Sequence, residues 1–354
     1  MGSEMCIRDR FNIHVYEGSG NPVLTAGVRS NGALTYSQTD DLLLVCLSAG
    51  GSLNIYNLDS NGATVAGPAD IGFMPVDIFL MGFVQLGPVV GDVDGDSSFD
   101  VVLPGRFNLG IYNSDLTLKG NLLTYGDLRT WIQEAQIYST LAEQSEQGEY
   151  YNKGSLPALG DMNHNGNPDI VFGLHSWVVC LTYVTVGPEA GSFQTVWTWY
   201  EPGAQFWSHP ALADTTRDGF LDVLIGSGKT TGPVAGKHNL TALDGSPANN
   251  HRPGVQSSRR LWKKWWYDTP ADRYRAIGQG PAVGNGVAGD RIEHLLLGTV
   301  WTDNTLSTLR SSWAYYDTNY EGHGFKEKYP PPEMWPHYLV DRFNSACYDF
   351  DPSW

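Results

Sequence analysis

The sequence predicts an all-β protein built from a repeated strand–loop–strand unit. Three observations lead there. An acidic nine-residue loop recurs between short apolar runs. Helical periodicity is scarce. The 354 residues include 41 Gly and 20 Pro with 12% aromatics, a composition rich in turns and long enough for a large core.

The first loop runs Gly91-Asp92-Val93-Asp94-Gly95-Asp96-Ser97-Ser98-Phe99-Asp100 and enters Val101-Val102-Leu103. The second runs Gly160-Asp161-Met162-Asn163-His164-Asn165-Gly166-Asn167-Pro168-Asp169 and enters Ile170-Val171-Phe172-Gly173. The third runs Asp214-Thr215-Thr216-Arg217-Asp218-Gly219-Phe220-Leu221-Asp222 and enters Val223-Leu224-Ile225-Gly226. Oxygen-bearing side chains stand at loop positions 1, 3, 5 and 9 in every copy. A hard cation needs that spacing, because Ca²⁺ takes six to eight oxygens and a tight turn aims alternate side chains inward.

In the first loop Asp92, Asp94, Asp96 and Asp100 are candidate side-chain ligands, with the Ser98 carbonyl as a backbone ligand. Asp161, Asn163, Asn165 and Asp169 with the Asn167 carbonyl form the second set. Asp214, Thr216, Asp218 and Asp222 with the Phe220 carbonyl form the third. About three calcium ions are therefore expected. Carboxylate counts of four, two and three rank the first loop tightest and the second weakest. An EF-hand is excluded, since position 12 is Leu103, Phe172 or Ile225 instead of a bidentate Glu, and strands replace the helices. Asp/Asn/Gly-rich hairpin turns favour the same residues, but three matches at four positions each make coincidence a poor account.

The pattern resembles the FG-GAP/VCBS repeat of integrin α-chain-like β-propellers, in which such loops join the first two strands of a blade. The resemblance implies a β-propeller of four-stranded blades running from about residue 11 to the end. Aligning on loop position 9 gives anchors at Asp41, Asp100, Asp169, Asp222 and Glu293, with steps of 59, 69, 53 and 71 residues. That spacing is too uneven for a tight solenoid and suits blades with variable loops. Two anchors depart from the pattern. Ala33, Thr35 and Ser37 precede Asp41 without a carboxylate, and Val287 and Gly289 fall at positions 3 and 5 before Glu293. No metal is expected at the former, and little at the latter.

Other segments fit the same unit. Leu53–Asp59, Leu109–Asp115 and Leu240–Gly245 read as alternating strands ending in Asp/Gly turns. The Trp-rich stretches Val196–Tyr200 and Leu261–Trp266 occupy the place of an outer blade strand. One helical pattern, Leu128 to Gln144, reads as an insertion on the propeller rim. Pro330–Pro332 reads as an extended connector.

Residues 1–10, MGSEMCIRDR, share nothing with the repeats and read as a non-native or adapter-like leader. Asn12–Tyr16 then reads as the second half of a blade, and Tyr348–Asp351 as the opening of another metal loop. About five units plus partial ones are expected here, from a longer protein of six or seven blades.

A net charge of −16 and a pI near 4.8 argue against nucleic acid as a partner, because phosphate binding requires a basic surface. Cys46 and Cys180 sit in apolar strands as small hydrophobes, and no disulfide framework is legible. The longest apolar stretch, Ile78 to Val90, is too short and interrupted to insert in a membrane. Asn239-Leu240-Thr241 is a single sequon. Catalytic signatures fail: Gly226-Ser227-Gly228-Lys229-Thr230 lacks the first Gly of a phosphate loop and reads as an inter-strand turn, and no HExxH or GxSxG occurs.

The resemblance implies a calcium-binding module for adhesion or binding, presenting a propeller face to a protein or carbohydrate ligand. Millimolar extracellular calcium suits such loops, which points to an extracellular or cell-surface location. Trp199, Tyr200, Trp207, Trp265 and Trp266 are candidate sugar-stacking residues, although core packing is the commoner role of such side chains. The alternative is a propeller-scaffold enzyme, such as a polysaccharide lyase or quinoprotein-like dehydrogenase. Ala242-Leu243-Asp244-Gly245 resembles quinoprotein-like blades, but fold does not establish chemistry. The binding module is favoured, with calcium in a structural role.

Overall fold

The computed structural model describes residues 5–8, 12–16, 21–27, 32–48, 51–70, 87–104, 108–120, 123–124, 155–174, 177–201, 204–206, 208–216, 218–229, 238–248, 259–266, 274–276, 282–284, 294–302, 309–317 and 326–327. Among them there is no helix; the chain is all-β, in six small antiparallel sheets that follow one another along the sequence. The helical pattern at 128–144 and the loop before Glu293 lie outside the described residues.

The first sheet holds β1 (Met5–Arg8), β2 (Asn12–Tyr16) and β3 (Pro22–Gly27), so part of the leader-like stretch forms a strand paired with β2. The second is a four-stranded meander of β4 (Ala33–Tyr36), β5 (Leu42–Leu47), β6 (Leu53–Asn57) and β7 (Ala63–Ala69). The third repeats it with β8 (Val89–Gly91), β9 (Asp100–Pro104), β10 (Asn108–Tyr112) and β11 (Leu123–Thr124). The fourth runs β12 (Ala158–Gly160), β13 (Asp169–Leu174), β14 (Trp177–Val184) and β15 (Ser192–Tyr200).

The last two sheets share a divided edge. In the fifth, β16 (Ala204–Gln205) and β17 (Ala211–Ala213) pair with opposite ends of β18 (Asp222–Lys229), which continues to β19 (His238–Leu243) and β20 (Arg260–Trp266). In the sixth, β21 (Tyr274–Ala276) and β22 (Ala282–Gly284) pair likewise with β23 (His294–Thr302), followed by β24 (Leu309–Asp317) and β25 (Lys326–Glu327). Gly226–Lys229, read from sequence as a turn, instead prolongs β18, because Gly226, Ser227 and Gly228 pair in register with Leu240, Asn239 and His238 of β19. The sequon falls in that same β19, between β18 and β20, with Thr241 fully buried.

The chain divides into two compact units. Met1–Leu159, Gly166–Pro168 and Leu181–Thr195 form one, and Gly160–Asn165, Asp169–Cys180 and Val196–Trp354 the other. In the first unit β5 is buried on both faces. Leu43, Val45 and Leu47 pack with Val101, Leu103 and Tyr112 of the third sheet and with Leu116 in the turn after β10. Leu44 and Cys46 point the other way, onto Ile13, Val15 and Ala26 of the first sheet. Alternate side chains of a strand face opposite sides, so the continuous apolar run Leu42–Leu47 is what a strand sandwiched between two sheets requires.

In the second unit Met162, Val171, Val178, Cys180, Trp197 and Trp199 enclose Phe206, Val223, Ile225 and Leu243. Each fully buried aliphatic side chain there contributes about 1.5–3 kcal/mol. The Trp-rich stretches supply β15 and β20, the outer strands of their sheets. Trp197 and Trp199 are therefore core residues, and Tyr200 stacks on Trp177 with ring centroids 4.5 Å apart. Trp207 and the side chains of Trp265 and Trp266 lie outside the described residues.

Successive sheets meet in a repeated way. A Cβ on Gly91, just before the first acidic loop, would meet the Leu159 side chain at 2.8 Å. One on Gly160, just before the second, would meet Leu212 at 2.8 Å. Each leucine stands two residues ahead of the following loop.

Candidate metal centre

All three acidic loops connect a short edge strand to the strand it pairs with: β8 to β9, β12 to β13, and β17 to β18. The Asp at loop position 9 opens the second strand and is buried, with Asp100 1% exposed and Asp169 and Asp222 fully enclosed. Each accepts a hydrogen bond from the backbone N–H of position 2. The distances are 3.0 Å from Val93 to Asp100, 2.9 Å from Met162 to Asp169 and 3.0 Å from Thr215 to Asp222. The first residue works at the other end. Asp92, Asp161 and Asp214 accept from the N–H of position 5, in Asp96, Asn165 and Asp218, at 3.1, 3.0 and 3.1 Å.

The loop backbone bends through left-handed residues. Positive φ occurs at Gly95 and Ser97 in the first loop, His164 and Gly166 in the second, and Gly219 in the third. These left-handed residues, at positions 4 and 6 of the first two loops and position 6 of the third, turn the chain so that the position 1 carboxylate meets the position 5 amide, and Asx-type bonds hold the curl. Neighbouring loops touch by one rule. Position 4 of the first, Gly95, faces Asn167, position 7 of the second. Position 4 of the second, His164, stacks on Phe220, position 7 of the third, with centroids 4.1 Å apart and planes 7° from parallel.

The loops differ in how their oxygens are satisfied. In the first, oxygens of Asp92, Asp94 and Asp100 lie within 4.8 Å of one another, the one such acidic group of three among the described residues. Asp96 accepts from the Ser98 N–H at 2.7 Å, and the Ser98 hydroxyl meets that of Ser114 at 2.9 Å. Lys119 enters this group. Its ammonium lies 2.7 Å from Asp100 Oδ1 and also contacts Asp94, and the side chain is only 6% exposed. Burial pushes the Asp100 carboxyl up to about 6 against the pull of that bond. Burial opposes the Lys119 charge too, but hydrogen bonds to Asp100 and Asp94 outweigh it and hold the ammonium above its usual value.

In the second loop Asn163 donates its amide to Asp169 Oδ1 at 3.0 Å and accepts from the Asn165 N–H at 2.9 Å. In the third, Asp222 Oδ2 accepts from Thr215 N, Thr216 N and the Thr215 hydroxyl at 3.0, 3.0 and 2.6 Å. Asp222 Oδ1 and Thr216 Oγ1, at positions 9 and 3, are buried without a hydrogen-bond partner. Burial pushes the Asp222 carboxyl up to about 7, against the Thr215 hydrogen bond. Orphaned buried oxygens are costly. These two belong to the ligand set read from the sequence, and all are hard oxygen donors, so the third loop fits a calcium ion.

No protein-family model matches the chain, and no curated protein matches it. Among solved structures it is similar to the C-terminal domain of Pseudomonas aeruginosa PilY1, with a TM-score of 0.55 at 12% identity, covering 89% of this chain and 79% of that one. The likeness is one of fold, between this all-β chain of small antiparallel sheets and a propeller-like neighbour. Weaker likeness extends to BBS1N solved in complex with ARL6DN (TM-score 0.43, 12% identity, 83% of this chain and 71% of that one) and to the Vibrio cholerae biofilm matrix protein Bap1 (TM-score 0.34, 12% identity, 83% and 53%).

At Asp41 the aligned positions are no loop at all. Ala33, Leu34, Thr35 and Tyr36 form β4, and the turn spans only Ser37–Asp41, closed by the Ser37 N–H on the Asp41 carbonyl at 2.9 Å. The Asp41 carboxylate instead accepts from the Thr39 hydroxyl at 2.8 Å. Lys119 is the residue that the loop pattern misses. Its one sequence signal is a lone basic side chain after Leu116-Thr117-Leu118, and nothing local aims it at Asp94, 25 residues earlier.

Proposed function

We propose that the chain is a calcium-stabilised β-propeller module of the FG-GAP type, with the six sheets as blades. One observation carries the reading: the same nine-residue acidic loop, with the same backbone-to-Asp hydrogen bond, joins a pair of adjacent strands in each of three consecutive sheets. The repeated Gly–Leu contact between successive sheets supports radial stacking of blades. Calcium acts structurally here. It neutralises clustered carboxylates that would otherwise repel and ties the loop between its two strands.

In this reading the third loop, with Asp214, Thr216, Asp218, Asp222 and the Phe220 carbonyl as its ligand set, is the strongest calcium site, since Asp222 Oδ1 and Thr216 Oγ1 are buried without a hydrogen-bond partner. The second follows, with Asp161, Asn163, Asn165, Asp169 and the Asn167 carbonyl. The module serves binding or adhesion in an extracellular or cell-surface setting, toward a protein or carbohydrate. Millimolar calcium and a chain of net charge −16 support that setting.

A thermal melt in millimolar calcium and again in excess EGTA tests it. A ligand that binds only the folded state must raise the melting temperature. Identical melts, with no calcium found by metal analysis, would leave the loops as ordinary turns.

A further inference from the structure

We infer that Lys119 takes the place of the metal in the first acidic loop, so that this loop is held by a tethered ammonium while the second and third take calcium. The inference rests on the calcium reading above and departs from it at one site. By carboxylate count the first loop is the best cation site in the chain. Its convergent oxygens, however, already have a cation among them.

The Lys119 ammonium bridges Asp94 and Asp100, loop positions 3 and 9. Those are two of the three carboxylates that converge within 4.8 Å. A calcium ion needs six to eight oxygens, and it would have to take both of these from the ammonium. Lys119 is also built into its position. Its backbone N–H donates to the Ile111 carbonyl at 2.7 Å, and Leu118 bridges back to Tyr112, which fixes the chain beside β10. The side chain is buried, with its ammonium 5.8 Å from the centre of the Tyr183 ring. A surface lysine that strayed onto an acidic loop would show neither the backbone anchoring nor the enclosure. The third loop provides the contrast, for there the position 3 and position 9 oxygens are buried and unpartnered.

A lysine and a calcium ion satisfy such a loop differently. The ammonium offers three donors on a covalent tether, so the loop is compensated at any calcium concentration. The first sheet-to-loop junction then keeps its form in calcium-poor surroundings, whereas the second and third depend on the ion.

Calcium stoichiometry on the whole chain decides the matter, measured by titration calorimetry and equilibrium dialysis after chelator treatment. Wild type is expected to bind about two ions, and Lys119→Gln or Lys119→Met about three, with a larger calcium-dependent rise in melting temperature. A variant that folds only when calcium is present also supports the inference, because the metal then replaces the lost ammonium. A wild type that binds about three ions, or variants that stay at about two, overturns it and leaves the calcium reading standing. No binding by any form removes the calcium reading, and the inference with it. If both Lys119 variants fail to fold in either buffer, Asp94→Asn decides: unchanged stoichiometry supports the inference, and loss of one ion overturns it.

Discussion

Asp222 Oδ2 accepts both the backbone N–H of Thr215, at 3.0 Å, and its hydroxyl, at 2.6 Å, while Asp222 Oδ1 is buried without a partner. The carboxylate is therefore satisfied on one oxygen and orphaned on the other. A buried acceptor left unpaired costs about 1–3 kcal/mol. A cation beside Oδ1 would remove that penalty, which supports the rank proposed for the third loop.

Thr216→Val separates the two states of that loop. The exchange replaces a buried, unpartnered hydroxyl by a methyl group of similar size. In EGTA the variant is expected to be more stable than wild type by about 1 kcal/mol. In calcium the order reverses, because one ligand is gone. Melts in the two buffers check this, and an unchanged calcium response would remove Thr216 from the ligand set.

Acid titration gives a second handle. Native Asp222 keeps its proton up to about pH 7, whereas its ordinary value is 3.8. Between those values the folded state binds more protons than the unfolded one, so the contribution of this group falls as pH rises through the window. In EGTA, wild type should lose stability relative to Asp222→Asn between about pH 4 and 7. Saturating calcium, which favours the ionised carboxylate, should flatten the difference. A difference that is already flat in EGTA contradicts the burial of this acid.

Gly219 turns the third loop at φ +91°, and a Cβ there would meet nothing within 4 Å. Gly219→Ala therefore tests backbone strain alone. It should cost about 1–2 kcal/mol and weaken calcium binding, since position 6 sets the curl that brings the ligands together. Chemical denaturation with and without calcium measures both effects.

Trp197 Nε1–H donates to the Gly245 carbonyl at 2.9 Å, and the Arg259 guanidinium sits 4.8 Å over its ring. Trp197→Phe keeps an aromatic ring but abandons the carbonyl. A loss of about 1–3 kcal/mol is expected, independent of calcium. A calcium-dependent loss would instead tie this tryptophan to the loops.

The sequence by itself determined the features that depend on near neighbours. Alternation and apolar runs placed β9, β13 and β18 directly after the acidic loops, and Asp and Gly spacing located the turns and their candidate ligands. Those signals are local, because strand pairing and Asx-type bonds act over a few residues. The turn-rich composition agreed with the all-β reading. What joins distant residues was decided only by the tertiary structure. Lys119 reaches Asp100 because the β9–β10 hairpin and the chain after it fold back to that point, and no spacing rule encodes the length of that path. The Asp41 segment looked like a loop by alignment, yet pairing with β5 draws Ala33–Tyr36 into a strand. Packing of neighbouring sheets, which depends on register and shape along whole strands, made Trp197 and Trp199 core residues. It also left Asp222 Oδ1 and Thr216 Oγ1 of the third loop buried without a hydrogen-bond partner.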